Sequence, residues 1–199
     1  MKQKKKTSLP FGNAKDFMRK MIEQQFMNVF GSESHASTQY LHFARQADKE
    51  GFPNTAHVFR AIAYSKKVQA NNHYAELRHL EGRFMVNCRV TFGFGDTRKN
   101  VELAMAEEEF VITDVYPVYI EIAKFQGEKE AEKSFTWAYL VKRIHKKLFA
   151  RVKEVIDGNT DIEFGPIQVC TVCGYTRKGD TPNKCPVCKA SKEYFIAFP

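Results

Sequence analysis

Two pairs of cysteines near the end of the chain constrain its structure more than any other feature. Cys170 and Cys173 form the first pair and Cys185 and Cys188 the second, each pair with two residues between its members. Four thiolates at this spacing can surround one metal ion tetrahedrally. We therefore expect a small metal-binding ribbon rather than two disulfide bonds. The spacing itself suits zinc as well as iron.

The composition limits the classes of protein to which the chain can belong. Of its 199 residues 43% are hydrophobic, which is enough for a core in one or two domains. Because it has neither a run of eighteen apolar residues nor a signal peptide, we expect a cytoplasmic protein that does not enter a membrane. The net charge of +8 favours an acidic partner. No aromatic-rich basic motif accompanies the charge, so we expect no nucleic-acid site.

A 3.6-residue period of apolar residues predicts four long helices. We expect these helices near residues 13–49, 53–81, 97–126 and 128–157. Pro117 predicts a kink in the third helix, and a loop or short ribbon should span 82–95. The predicted divisions of the chain are a basic tail (1–12), a helical bundle (13–158), a linker (159–165) and a cysteine domain (166–199).

The helical part contains an internal repeat with a constant offset of 76 residues. The matching pairs are Tyr40 and Tyr116, Ala47 and Ala123, Gly51 and Gly127, Phe59 and Phe135, and Lys66 and Lys142. Two copies of one helical hairpin predict a four-helix bundle with pseudo-twofold symmetry.

The inward faces of the predicted helices carry polar side chains among the aromatic ones. These side chains are Lys66, Gln69, Lys142 and His145. A lysine inside a bundle needs a carboxylate partner. Glu33 on the first helix and either Glu108 or Glu109 on the third are the candidates.

A helical bundle followed by a cysteine ribbon resembles the rubrerythrin family. The stretches that carry the resemblance are Glu33-Ser34 with Tyr40, Lys49–Phe52, Gln69–His73, Gly95–Thr97 with Asn100, Tyr116-Pro117, Cys173–Tyr175 and Cys185–Cys188. The resemblance implies a mainly α protein, with a ferritin-like four-helix bundle and a rubredoxin-like domain. It favours iron over zinc at the four cysteines, and it implies a homodimer.

Rubrerythrins hold two iron ions in the bundle by glutamates and by an E-x-x-H pair on each of the second and fourth helices. Carried over to this sequence, the positions are Glu33, Lys66, Gln69, Glu108 or Glu109, Val111, Lys142 and His145. Two bridging carboxylates have thus become lysine. An ammonium about 4 Å from a unit of cationic charge costs roughly 4 kcal/mol at an effective dielectric of 20. We therefore expect salt bridges here and no di-iron cluster.

Three functions are compatible with these residues. We favour an electron-transfer protein with one tetrathiolate iron, a redox partner protein and a bundle that acts as a scaffold. A rubrerythrin-like peroxidase for oxidative stress, rebuilt around His145, Glu33 and Glu108, is the first alternative. A structural zinc ribbon is the second. The loss of the E-x-x-H pairs argues against the peroxidase.

Overall fold

The computed structural model describes residues 14–163 and 165–198, so the predicted basic tail lies outside the described residues. The helices are α1 (Ala14–Lys49), α2 (Pro53–Ala75), α3 (Thr97–Phe110), a π-helical segment (Val111–Val115), α4 (Tyr116–Gln126) and α5 (Lys129–Asp157). The strands are β1 (Ile167–Cys170), β2 (Thr176–Lys178) and β3 (Phe195–Phe198), with a 3₁₀ turn at Lys192–Tyr194. Among the described residues, none of the helices combines the length and the apolar character of a transmembrane span.

The bundle consists of two helical hairpins, as the repeat predicts. Helix α1 packs along α2, while α3 and α4 pack along α5. Gly51 and Gly127 end the first helix of each hairpin with φ angles of 82° and 73°. Glycine adopts this left-handed conformation without the steric cost that a Cβ atom brings. The fold is a mainly helical bundle followed by a small domain with three strands, as the sequence predicts.

The predicted kink at Pro117 takes the form of a π-helical segment. The amide of Tyr116 donates to the carbonyl of Val111, five residues earlier, instead of four. Proline has no N–H and cannot continue the regular ladder, which favours such a local change of pitch. A π-helical segment adds one residue to the helix. The offset between the two hairpins is therefore 76 after this segment and 75 before it.

The end of the second helix differs from the sequence-based expectation, and the segment after it takes the loop form of the two that were expected. Helix α2 ends at Ala75 and not near residue 81, because the amides of Leu77 and Leu80 donate to carbonyls only three residues earlier. The segment 82–95 contains no strand. Its backbone is held by side chains instead: the Gln39 amide donates to the carbonyl of Thr91, and the Thr91 amide donates to Glu107.

The small domain is a three-stranded antiparallel sheet with the order β2-β1-β3. It lies against α2, where His57 Nε2 is 2.9 Å from the carbonyl of Phe198. The linker is also hydrogen-bonded to α2. The carboxylate of Asp161 accepts hydrogen bonds from the amides of Asn54 and Thr55 at 2.7 and 3.0 Å, and so caps the start of α2.

Candidate metal centre and the polar core of the bundle

The four cysteines of the small domain converge on one point. Their sulfur atoms all lie within 4.8 Å of one another. The sulfur of Cys170 is 3.7 Å from that of Cys188, and the sulfur of Cys173 is 3.6 Å from that of Cys185. A tetrahedral ion with bonds of about 2.3 Å separates its sulfur ligands by about 3.8 Å. The four thiols are free and fit one metal ion, either iron or zinc.

The two cysteine pairs lie on matching turns, here called knuckle 1 (170–174) and knuckle 2 (185–189). The amide of Gly174 donates to the carbonyl of Cys170 at 2.8 Å, and that of Lys189 donates to Cys185 at 3.0 Å. Both donors are left-handed, with φ angles of 81° and 67°. Three of the cysteines are buried, and Cys188 is partly exposed.

At the bundle centre, both predicted lysines point inward and meet carboxylates. The ammonium nitrogen of Lys66 lies 2.6 Å from Glu108 and 3.6 Å from Glu33, and that of Lys142 contacts Glu33. All four side chains are buried. They form a compact network of two positive and two negative charges, here called the ionic core.

The structure decides between the two candidate glutamates of the third helix. Glu108 is fully buried and belongs to the ionic core, whereas Glu109 is about half exposed and pairs with Lys146. The internal offset of 76 pointed to Glu109. The offset of 76 does not apply to Glu33, because the residue that corresponds to Glu33 lies before the π-helical segment, where the offset is 75.

The two lysines differ in how their charges are compensated. Burial disfavours both ammonium groups, but Lys66 contacts two carboxylates, and its pKa is raised well above the ordinary value. Lys142 contacts only Glu33 and is repelled by Lys66, so its pKa is lowered to about 8. Burial alone would raise the pKa of Glu33 and Glu108, yet the ammonium groups lower both.

Tyrosine and histidine side chains extend the ionic core. The hydroxyl of Tyr116 donates to Glu33 at 2.8 Å and lies 3.2 Å from His73 Nε2, while His73 Nδ1 lies 3.2 Å from Ser134. Burial lowers the pKa of His73 to about 4. The hydroxyl of Tyr40 lies 3.5 Å from Glu108. The helical period predicts that His73 faces inward, but nothing in the sequence indicated its partner Ser134.

Gln69 and His145 face the small domain. Gln69 donates to Ser65 Oγ at 3.0 Å, and Ser65 in turn donates to the carbonyl of Gly174 at 2.5 Å. His145 Nε2 lies 3.1 Å from the hydroxyl of Thr176 on β2. Polar contacts thus join these two positions to knuckle 1 and the strand that follows it. Ser65 and Thr176 carried no signal in the sequence, because their roles depend on how the two domains pack.

Three buried polar atoms of this region have no hydrogen-bond partner among the described residues. They are Gln69 Oε1, Glu108 Oε2 and His145 Nδ1. His145 Nδ1 is 3.5 Å from Glu108 Oε1, and burial lowers the pKa of this histidine to about 4. Val111, which the sequence analysis also carried over as a ligand position, is buried, and its side chain offers no ligand atom.

Comparisons with known proteins identify the same two parts. The rubrerythrin family profile matches residues 27–153, and the profile of the rubrerythrin rubredoxin-like domain matches residues 168–196. Rubrerythrin-2 of Clostridium acetobutylicum is 36% identical over 86% of this chain and 93% of its own length. A rubrerythrin of Porphyromonas gingivalis is 30% identical, over 98% and 96% of the two chains.

A solved structure agrees with the fold. It is titled as the fully reduced, all-ferrous state of nigerythrin and superposes with a TM-score of 0.78 at 24% sequence identity. The match covers 89% of this chain and 86% of that one. The family profile spans well over half of the chain, and both the bundle and the four-cysteine domain are present. The chain therefore belongs to the rubrerythrin family.

Proposed function

We propose that this protein transfers single electrons through one rubredoxin-type iron, and that its bundle serves as a scaffold without a di-iron cluster. The observation that carries the proposal is the contrast between the two sites. The four cysteine sulfurs match a tetrahedral metal ion, whereas the family's bundle positions hold an ionic core in which lysines contact the glutamates. Membership of the family supports a redox role in general.

The four cysteines would bind one metal ion together. An iron ion bound by Cys170, Cys173, Cys185 and Cys188 would supply a one-electron ferric–ferrous couple. Thiolates are strong ligands for iron and zinc alike, and the family favours iron. Burial of three of the four cysteines limits the access of water to the metal. Free thiols of this kind suit the reducing cytoplasm in which we place the protein.

The ionic core fills the place of the family's metal ligands. Each glutamate has a lysine within contact distance, so the carboxylates do not need metal ions to offset their charge. Two further cations would lie against two ammonium groups, with several ligands missing. We therefore infer that the bundle positions and supports the cysteine domain, and that it binds no iron pair.

A peroxidase with a rebuilt metal site is the second candidate. One observation favours it: Gln69 Oε1, Glu108 Oε2 and His145 Nδ1 are buried without hydrogen-bond partners among the described residues. Oxygen and nitrogen atoms of this kind are ligands for iron. Lys66 opposes a cation at this place, because its ammonium lies 2.6 Å from Glu108 Oε1.

Metal content and colour test the proposal directly. Protein purified without added metal should contain about one iron per chain, as tetrathiolate coordination requires, and it should show the red colour of ferric tetrathiolate iron. Zinc alone would leave it colourless and would support the structural ribbon. Two or three irons per chain would contradict the scaffold role. A Lys66→Glu, Gln69→His, Lys142→Glu variant, which regains all ligand positions except Val111, serves as the comparison and should bind additional iron.

The proposal includes assembly and partners. We expect a homodimer, as the family resemblance implies, and an acidic redox partner, in view of the net charge of +8. Sedimentation of the full chain at micromolar concentration checks the dimer. A purely monomeric protein would remove the dimer and leave the iron proposal intact.

A further inference from the structure

Two tyrosines at corresponding positions of the two hairpins differ in what their hydroxyl groups contact. Tyr40 and Tyr116 are both fully buried. The Tyr116 hydroxyl donates to Glu33 Oε1 at 2.8 Å and lies 3.2 Å from His73 Nε2. The Tyr40 hydroxyl lies 3.5 Å from Glu108 Oε1, which is too far for a strong hydrogen bond. The proton of Tyr116 therefore has an acceptor in place, and that of Tyr40 does not.

The contacts of Tyr116 determine which atoms carry the protons. A hydroxyl has one proton, and the ionised carboxylate of Glu33 can only accept it. The 3.2 Å contact with His73 is then a hydrogen bond from Nε2–H to the hydroxyl oxygen. His73 Nδ1 accepts in turn from Ser134 Oγ, which is 3.2 Å away. Burial lowers the pKa of His73 to about 4, which keeps the imidazole neutral. The Tyr116 oxygen thus lies between a proton acceptor and a hydrogen-bond donor.

This arrangement suits the loss of one electron together with one proton. Burial and the charge of Glu33 raise the pKa of Tyr116 well above its ordinary value, so the hydroxyl keeps its proton in the resting protein. An oxidised phenol is a strong acid and releases its proton to form a neutral phenoxyl radical. Glu33 Oε1 lies within reach for this transfer. The Nε2–H of His73 can then donate to the phenoxyl oxygen.

A tryptophan connects the four-cysteine site to the surroundings of this tyrosine. Trp137, the one tryptophan of the chain, packs against the cysteines and is partly exposed. It follows Ser134 by three residues on α5, a spacing that makes the two side chains neighbours on the helix surface. Ser134 contacts His73, and His73 contacts Tyr116. Neighbouring side chains therefore lead from the metal site through Trp137 to Tyr116.

The charges around the two aromatic side chains favour oxidation of the tyrosine over lasting oxidation of the tryptophan. The ammonium of Lys133 lies 5.6 Å from the centre of the Trp137 ring. A cation at this place is attracted by the neutral indole and disfavours a positive charge on it. At Tyr116, by contrast, the proton leaves with the electron, so no positive charge remains on the ring.

We propose that Tyr116 is a redox-active tyrosine and that Trp137 passes oxidising equivalents to it from the surface. A radical oxidant derived from peroxide takes one electron from Trp137, whose indole N–H releases its proton to solvent. Tyr116 then gives one electron to Trp137, which regains a proton from solvent, while the Tyr116 proton moves to Glu33 Oε1. No bond between heavier atoms forms or breaks.

The proposal gives the bundle a radical site in addition to its role as a scaffold. The phenoxyl radical would be reduced by one electron from the four-cysteine site, with the iron oxidised from ferrous to ferric and the proton returned from Glu33 to Tyr116. This last step alone rests on the proposed function. A surface radical would in this way be converted into ferric iron, which a redox partner can reduce again.

Pulse radiolysis of the full chain loaded with zinc tests the tyrosine without any redox activity of the metal. Azidyl radicals oxidise indole and phenol groups by one electron, and the indolyl and phenoxyl radicals absorb at different wavelengths. The indolyl band should decay while a phenoxyl band grows at the same rate, independently of protein concentration and more slowly in heavy water. A growth rate that rises with protein concentration would mean transfer between molecules and would overturn the relay.

Matched variants identify the tyrosine. Tyr116→Phe should abolish the delayed phenoxyl signal, whereas Tyr40→Phe, at the corresponding position of the other hairpin, should keep the yield of the parent protein. In the parent protein itself, added ascorbate should remove this radical far more slowly than it removes the radical of free tyrosine, because Tyr116 has no exposed surface. This measurement holds even if Tyr116→Phe fails to fold. A delayed signal that survives Tyr116→Phe, or one that ascorbate removes as fast as the free radical, would overturn the proposal.

The two proposals fail in different ways. In the chain loaded with ferrous iron, the phenoxyl signal should decay faster than in the zinc-loaded chain, and ferric colour should appear as it decays. If the radical forms with zinc but ferrous iron leaves its lifetime unchanged, the redox-active tyrosine stands and electron return from the metal is overturned. If no delayed phenoxyl signal forms with zinc, the tyrosine proposal is overturned, and metal content and colour still decide the proposed function.

Discussion

Two lysines determine the character of the bundle interior. Each is buried, and each compensates a glutamate that would otherwise be an unpaired charge in a dry core. A buried ion pair adds little net stability compared with apolar residues, but it becomes costly when one partner is lost. Replacement of a single member therefore reports on the whole ionic core.

Lys66→Met tests this dependence. Methionine has a similar length but no charge, so Glu108 would lose its 2.6 Å contact. We expect the free energy of unfolding to fall by roughly 3–5 kcal/mol, measured by urea unfolding monitored by circular dichroism. Lys67→Met at the exposed neighbouring position should change it by less than about 0.5 kcal/mol. Equal stability of the two variants would show that Lys66 does not compensate a buried charge.

The elements show which features could be predicted from the sequence. Apolar periodicity and the repeat predicted the four helices, and the turns at Gly51 and Gly127 followed from glycine's conformational freedom. The choice between Glu108 and Glu109 could not be made from the repeat, because the π-helical segment adds a residue whose presence depends on packing around Val111–Val115. Likewise, Ser65 and Thr176 acquire their roles only through the contact between the two domains.

Gly174→Ala tests that contact. An added Cβ would lie 2.6 Å from Ser65 Oγ and 2.9 Å from the Ser65 carbonyl. Gly179 has a similar φ of 82° with nothing within 4 Å, so Gly179→Ala carries the same backbone strain without the clash. We expect Gly174→Ala to lose about 1–3 kcal/mol more stability than Gly179→Ala, together with faster hydrogen exchange in knuckle 1. Equal effects would mean that the domain does not rest on α2.

The whole molecule contains two kinds of core. The bundle has apolar clusters built on aromatic and aliphatic side chains, whereas the small domain is centred on its cysteines, with Trp137 of α5 packed against them. A domain of this kind obtains much of its folding free energy from metal binding. Its stability should therefore depend on the metal, while that of the bundle depends on apolar burial and on the ionic core.

Loss of the metal should destabilise the small domain and leave the bundle folded. In Cys185→Ser, one ligand is lost, and we expect fast hydrogen exchange throughout residues 166–198 with the helical circular dichroism signal at 222 nm largely retained. Cys88→Ser, which changes the free thiol outside the cluster, should leave both readings as in the parent protein. Collapse of the helical signal in Cys185→Ser would mean that the bundle cannot fold without the metal domain.

The buried titratable groups predict loss of stability in acid. The pKa of His73 and of His145 is lowered from 6.5 to about 4, so below pH 6.5 the unfolded chain binds protons that the folded chain does not. The free energy of unfolding should therefore fall between pH 6.5 and 4, by up to about 3 kcal/mol for each histidine. The lowered pKa values of Glu33 and Glu108 act with the same sign and extend the loss below pH 4.5.

A comparison of variants assigns this acid sensitivity to the core. His73→Gln removes one buried imidazole, and its stability should decline less steeply between pH 6.5 and 4 than that of the parent protein. His42→Gln, at an exposed position of α1, should keep the parent's slope. Urea unfolding midpoints at half-unit pH steps give the slopes. A flat profile of the parent protein between pH 6.5 and 4 would contradict the lowered pKa values of His73 and His145.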